Sequence, residues 1–560
     1  MIKNNIFFYI LLSFVVLCIG LFTTFFQFFS SGFDLLIGDA GDARFITFIL
    51  ENSFLWLTQS ANQYSFSDLN FFYPALNTLF YSDTLIGIFP FYWVIRFIGF
   101  DPFYSLQILT ILFFIINFYS FYFLSLKLNI ENKIAIWGAF IFAFALPRQT
   151  QLFHLQLLPQ FFSLYSLYFF YKFCTLSKNK YLFYSLLFLT WQFYTSWYLA
   201  WFLAFLYLLF LILYAVKRKT YFAHFELFNH LKQYKVSYFI LSLIIILLIS
   251  PLAINYLMVF KEMGGRTYSE IKSLSPSLSS WFSISPLHWE AQIPVYSHFL
   301  NFFGRNFEKE ISTGLITSFL FLIALYNVFK NSDRLKLKLN VKLVGILVVL
   351  LFVLSNRFGD IHFWSVVFYS LPSAKSIRAL ARIILIILPL IIYVSMLVYH
   401  NKKHIIWPKF LNRLNKNSIQ IINILLIISL AEQLYNAEHL WSRKKTIEQH
   451  TELQNMVEAS NKVHDCKIIY FATTGENNPT ILNLDAMWVS LNKNIKTING
   501  YSGLLPNKYN EDLYKGILGK NSENKDKLIG QITVWFEQNN LILKNSKLCI
   551  FNLTDKTLIY

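Results

Sequence analysis

The sequence predicts an all-α polytopic membrane protein of about eleven transmembrane helices with a C-terminal extracytoplasmic α/β domain. Of its 560 residues, 56% are hydrophobic and only 14% are charged. That is more apolar surface than a water-soluble fold can hide, so lipid must be the main solvent. The Lys and Arg residues behind the net charge of +18 collect in short segments between apolar runs. Such a pattern signals topology and excludes nucleic acid as the partner. Phe and Tyr dominate the aromatic content, which suits lipid-facing helices and interfacial belts.

Taken in order, the run from Ile6 to Phe28 is long enough to cross a ~30 Å hydrocarbon core and lacks a small-residue cleavage site. It reads as an uncleaved first helix with a cytoplasmic N-terminus. Thr84 to Phe100 is apolar but broken by Gly87, Pro90, Arg96 and Gly99, so it is expected to lie at the interface or re-enter. Further spans are expected at Phe103–Leu126, Ile134–Leu146, Leu158–Phe173, Tyr181–Trp197, Tyr198–Val216, Val236–Leu257, Leu315–Phe329, Val341–Leu354, Ile383–Tyr399 and Ile419–Leu434. Two spans must then meet at Thr195 and Ser196 with almost no loop. A single kinked helix there would invert everything downstream.

This alternation puts Lys172, Lys178 and Lys180, the cluster from Lys217 to Lys235, that from Lys330 to Lys342, and that from Lys402 to Lys416 on one side, as the positive-inside rule requires. The outer loops are 30–102, 147–157, 258–314 and 355–382. Residues 1–434 form the transmembrane domain and 435–560 the outer domain, where Lys467–Ala472 and Lys547–Leu553 read as strands beside amphipathic helices. Cys466 borders one strand and Cys549 lies in the other. An oxidising compartment permits a disulfide between them, while strand register could equally keep them apart.

Ionisable residues are nearly absent from the spans, whereas a proton-coupled transporter usually needs buried relays. The polar chemistry concentrates in the outer loops. Asp34, Asp39 and Asp42 lie just beyond the first span and lead into a helical pattern in which Arg44, Thr47 and Glu51 share a face. One reading makes Asp39 the N-cap and Asp42 a first-turn acid favoured by the dipole. The other makes one carboxylate a general base that takes a proton from an acceptor hydroxyl, its basicity raised by partial desolvation.

The first helix, the loop Gly38-Asp39-Ala40-Gly41-Asp42-Ala43-Arg44, the Tyr73-Pro74 turn and the broken apolar run resemble the GT-C superfamily of membrane glycosyltransferases. That group includes oligosaccharyltransferase catalytic subunits, protein mannosyltransferases and aminoarabinose transferases. The resemblance covers roughly the first 160 residues by pattern. It implies a GT-C-like fold, a polyprenyl-phosphate-linked sugar donor, and a catalytic Asp in the first outer loop that matches Asp42 best and Asp39 second. Metal-dependent members carry further acids in the second outer loop, and none stands between Pro147 and Leu157 here, so neither a metal nor another cofactor is expected.

In that second loop, Arg148 and His154 stand in a polar cluster with Gln149, Gln151 and Gln156. They are either interfacial anchors or donor-phosphate ligands, since a guanidinium fork matches phosphate oxygens. Arg378 and Arg382 stand one helical turn apart at the entrance of a span, either snorkelling to headgroups or, as the resemblance implies, holding the carrier phosphate. In the tail, Asp485-Ala486-Met487-Trp488 and Asn499-Gly500-Tyr501 through Pro506 are turn formers with aromatics that could instead wall an acceptor site.

The sequence thus points to sugar transfer onto a lipid, glycan or protein acceptor at the outer face of the cytoplasmic (inner) membrane of a cell envelope. The rivals are a flippase or exporter of lipid-linked glycans, which needs a polar path that the spans do not offer, and a non-catalytic assembly protein for which Asp42 is dispensable.

Overall fold

The computed structural model describes residues 2–59, 64–221, 230, 232–303, 306–335, 339–437, 439–474, 478–518, 522–542 and 547–559. Parts of two basic clusters, including Lys336 and Lys338, lie outside the described residues. Each apolar run expected to span folds as a helix. These are Ile2–Thr24, Pro102–Lys127, Asn132–Phe144, Phe161–Leu176, Asn179–Thr195, Trp197–Tyr221, Lys235–Met263, Leu315–Lys330, Leu339–Ser355, Ile384–His400 and Ser418–Glu432. Among the described residues, five stretches are long and apolar enough to cross a membrane: Ile6–Thr24, Pro102–Lys127, Trp197–Val216, Lys235–Met263 and Leu380–His400.

The chain does break at Ser196, whose extended backbone (φ −150, ψ 119) separates two helices. Thr195 turns its hydroxyl back onto the Trp191 carbonyl, a local bond that competes with helix continuation. The broken run forms only the helix Phe89–Phe97. Pro90 is tolerated in its first turn, and Gly99, at φ +106, follows its end.

Two compact units divide the chain. One holds Met1–Phe29, Thr110–Ser250 and Gly265–Glu438; the other holds Ser30–Leu109, Pro251–Gly264 and His439–Tyr560. In the first, Ile384–His400 packs against Asn132–Phe144, Leu315–Lys330 and Leu339–Ser355. It is apolar all round, as a core helix must be. Ile6–Thr24, by contrast, has only 17% of its span buried, and Phe7, Ile10, Phe14 and Phe22 are exposed.

In the second unit a four-stranded sheet runs in the order Lys496–Thr497, Ile468–Ala472, Leu548–Asn552, Thr557–Leu558. The first two pairings are parallel and the last is antiparallel. Both long strands are buried throughout, which is why they read as unbroken apolar runs. The helix Pro479–Lys493 connects the parallel pair Ile468–Ala472 and Lys496–Thr497, the crossover such strands need. Register sets Ile469 opposite Cys549, and Cys466 bonds to Cys549 with Cα atoms 5.6 Å apart. Closing a loop of 83 residues contributes about 4.5 kcal/mol in the chain-entropy model. The first loop belongs to this unit as well. Leu35–Ile37 pairs antiparallel with Leu440–Ser442, and the helix Asp42–Thr58 packs on Pro479–Lys493.

Candidate functional site

The three first-loop carboxylates have three different fates. Asp34 accepts bonds from the Ser442 hydroxyl and the Lys444 N–H, both at 2.8 Å. Burial alone would raise its carboxyl, but these bonds and the Lys444 and Arg443 charges hold it below the usual carboxylate range. Asp34 is therefore a clasp between chain segments. Asp39 accepts from the Ala43 N–H at 3.2 Å and so serves the helix start, although the N-cap position itself is Gly41 and not Asp39. Gly41 leaves room there, because a Cβ would sit 3.3 Å from the Thr480 methyl.

Asp42 is the first residue of the helix and is half-buried. Its Oδ1 accepts from the Tyr501 hydroxyl at 2.6 Å. Burial first, then the charges of Asp42 and Asp39, push the Tyr501 phenol well above its ordinary value, so it stays a donor. The tail motif noted above holds it in place. Asn499 brackets Phe471, accepting from its N–H at 2.7 Å and donating to its carbonyl at 3.0 Å. Gly500 then passes so close to the Phe72 ring that a Cβ would lie 2.3 Å from it. No residue with a side chain fits there, and Tyr501 follows, set edge-on to Phe45.

Farther along the helix, the face shared by Arg44, Thr47 and Glu51 divides among separate partners. Arg44 donates to Asp485 at 2.5 Å and to His450 Nε2 at 2.6 Å, with all three groups buried. Because Nε2 faces a guanidinium N–H it must accept, which places the imidazole proton on Nδ1. Burial lowers His450 accordingly. Glu51 receives both forks of Arg96, at 2.8 and 2.9 Å, and the Tyr92 hydroxyl at 2.7 Å. Removing either partner of a buried pair such as Arg44–Asp485 costs roughly 3–5 kcal/mol. These pairs fix the helix and thereby aim its first turn.

The four basic candidates fall in the other unit, in two places. Arg148 is fully buried and donates to Gln160 at 2.5 Å, its guanidinium lying 4.3 Å over the Phe142 ring. Burial brings it down to about 9, so it remains charged at neutral pH. Arg378 and Arg382 instead converge on Glu308, a residue the sequence does not single out, and His154 joins them through Arg382. Arg382 reaches Glu308 at 3.3 Å and His154 at 3.0 Å, and Arg378 reaches Glu308 at 3.8 Å. Arg378 and Arg382 are not on one helix. Arg378 precedes the tight turn Leu380–Ile383, and its N–H bonds to the Tyr198 oxygen at 2.9 Å. Burial would raise Glu308, but the charges of Arg382, His154 and Arg378 hold it low. Its only signal in the sequence is being an acid in the loop 258–314.

A second carboxyl pair, Glu290 and Glu432, caps the helix Leu315–Lys330. Glu290 accepts from the Leu315 N–H at 3.1 Å, while Glu432 accepts from Ile316 at 2.5 Å and Thr317 at 2.7 Å. Burial, reinforced by Glu432, pushes Glu290 up to about 8. Among the described residues, no group of three or more His, Cys, Asp and Glu converges to hold a metal ion. Compared with known proteins, the chain matches no family model and no curated protein.

Proposed function

We propose that the protein is a GT-C-like membrane glycosyltransferase that moves a sugar from a polyprenyl-phosphate carrier onto a hydroxyl of a lipid, glycan or protein acceptor. What supports the reading above all is Asp42, a half-buried carboxylate at a helix start, oriented at one oxygen by a tyrosine brought from the far end of the chain. In the reaction, Asp42 takes the acceptor's proton as the acceptor oxygen bonds to the anomeric carbon. The bond from that carbon to the phosphate oxygen breaks, and the phosphate leaves with the electron pair. Asp42 must be ionised and reachable for this, and a neutral hydroxyl orients it without cancelling its charge. Arg378, Arg382 and His154 are the phosphate-holding set, with Arg148 as a fixed positive charge in the same unit.

The eleven apolar helices are the spans of this reading, with the N-terminus cytoplasmic, residues 435–560 extracytoplasmic and the chain in the cytoplasmic membrane. The Cys466–Cys549 disulfide agrees with an oxidising compartment for the tail. A cysteine placed at position 277 should then react with a membrane-impermeant thiol reagent while one at position 217 resists, and the reverse would overturn the orientation. The test of function is transfer of radiolabelled sugar from a polyprenyl-phosphate donor pool in membranes holding wild type or Asp42→Asn at matched levels. Equal rates would sink the general-base assignment.

A further inference from the structure

One cavity in the first unit is used by nothing above. It measures about 180 Å³ and is lined by the helices Pro102–Lys127, Phe161–Leu176, Trp197–Tyr221, Leu339–Ser355 and Ile384–His400, with Leu164, Leu206, Leu347 and Met396 among its walls. Two of its polar groups are turned to other uses. Ser125 donates to the Phe121 carbonyl at 2.7 Å, and the Tyr207 hydroxyl lies 2.8 Å from Ser166. An apolar cavity of this size stays dry and takes up hydrocarbon, as an engineered one of about 150 Å³ takes up benzene.

The cavity also has a charge signature. Lys127 lies between the lining residues Leu124 and Leu128, Lys172 follows Tyr171, and Lys342 precedes Leu343. The Lys172 ammonium stands 5.5 Å over the ring of Tyr168, itself a wall residue. The lining stretches 121–128, 164–174, 206–210, 343–347 and 389–396 contain no Asp or Glu. Hydrocarbon walls on helices that carry three lysines next to lining residues, and no acid, match a molecule with an apolar chain and an anionic head.

We propose that this cavity binds a segment of one acyl chain of an anionic glycerophospholipid, whose phosphate is met by Lys127, Lys172 and Lys342. The site rests on the membrane reading above but not on sugar transfer. It predicts that full-length protein taken from vesicles of mixed phosphatidylglycerol and phosphatidylcholine, then washed in detergent, keeps about one phosphatidylglycerol per chain by native mass spectrometry. Each lysine near an anionic surface contributes about fivefold in affinity. The variant Lys127→Gln/Lys172→Gln/Lys342→Gln should therefore bind roughly a hundredfold more weakly. Because that variant could misfold, a second measurement uses the native Cys174 in the cavity wall. In a Cys18→Ala background, alkylation of Cys174 by an apolar maleimide should slow several-fold when phosphatidylglycerol is added and not when phosphatidylcholine is. Equal retention of both lipids, retention of a prenyl phosphate instead, or unprotected Cys174 would each overturn the site while leaving the membrane reading intact. Release of the protein from membranes by alkaline carbonate would overturn both.

Discussion

Asp42 and Glu308 are both carboxylates in loops expected outside the membrane, yet their surroundings differ in kind. Asp42 accepts from a tyrosine hydroxyl, whereas Glu308 lies between two guanidinium groups and an imidazole. A hydroxyl orients a carboxylate and leaves its charge in place, while paired guanidiniums neutralise it. The first arrangement suits a proton acceptor. The second makes Glu308 an internal anion, and under the proposed reading a donor phosphate must displace it.

The largest effect should come from Asp42→Asn, which keeps size and suits a helix start but removes the proton-accepting charge. Sugar transfer should fall by about a hundredfold or more, while membrane insertion and yield stay near wild type, since the lost dipole contact is worth about 0.3–1 kcal/mol. Asp39→Asn should lose less. Full transfer by Asp42→Asn beside an inactive Asp39→Asn would exchange their roles.

Next in size is the basic cluster. The double variant Arg378→Ala/Arg382→Ala should lose about tenfold or more in kcat/KM for the donor, and the double Lys variant should keep part of it, because charge survives without the bidentate fork. Unchanged kinetics in the double Ala variant would reduce both residues to headgroup anchors. Tyr501→Phe should slow transfer by about tenfold, the scale of one hydrogen bond to a charged group. As Tyr501 acts through Asp42, the acid limb of its pH–rate profile should move as well. A slower rate with an unmoved profile would make Tyr501 merely structural.

Glu308→Gln tests the contrast from the other side. Removing the internal anion should lower KM for the donor by a few-fold if phosphate competes with it, and a raised KM would show that Glu308 instead holds the arginines in place. The smallest effect concerns Glu290, raised from 4.5 to about 8. Between those values the folded chain binds a proton that the unfolded chain has released, so this group's contribution to stability falls as pH rises from 4.5 to about 8. Glu290→Gln should flatten that slope in detergent thermal unfolding, and an unaltered slope would refute the assignment.

The helices were legible because the length and polarity of an apolar run are local properties. So was the break at Ser196, where hydroxyl residues leave almost no loop between two runs. The two long strands were equally plain, since burial on both faces requires apolar residues at every position. Local sequence also pointed to Asp39 and Asp42 at a helix start. It could not tell that Asp34 is a clasp and Asp42 a tyrosine-held carboxylate, because their partners are remote: Ser442 and Lys444 for Asp34, and Tyr501, 459 residues away, for Asp42. The spacing of Arg378 and Arg382 suggested one helical face, whereas the backbone there is a turn and the two side chains meet through Glu308.

What the sequence by itself determined is where the chain is apolar enough to be helical and where its acids and bases are concentrated, since both follow from residues within a few turns of each other. Tertiary structure alone decided that the first loop folds with the tail, that Arg148 lies buried against Gln160 and Phe142, and that Glu308 stands between two arginines. Those outcomes depend on desolvation and pairing between groups far apart in sequence, and a buried charge takes whichever partner the packed fold brings to it.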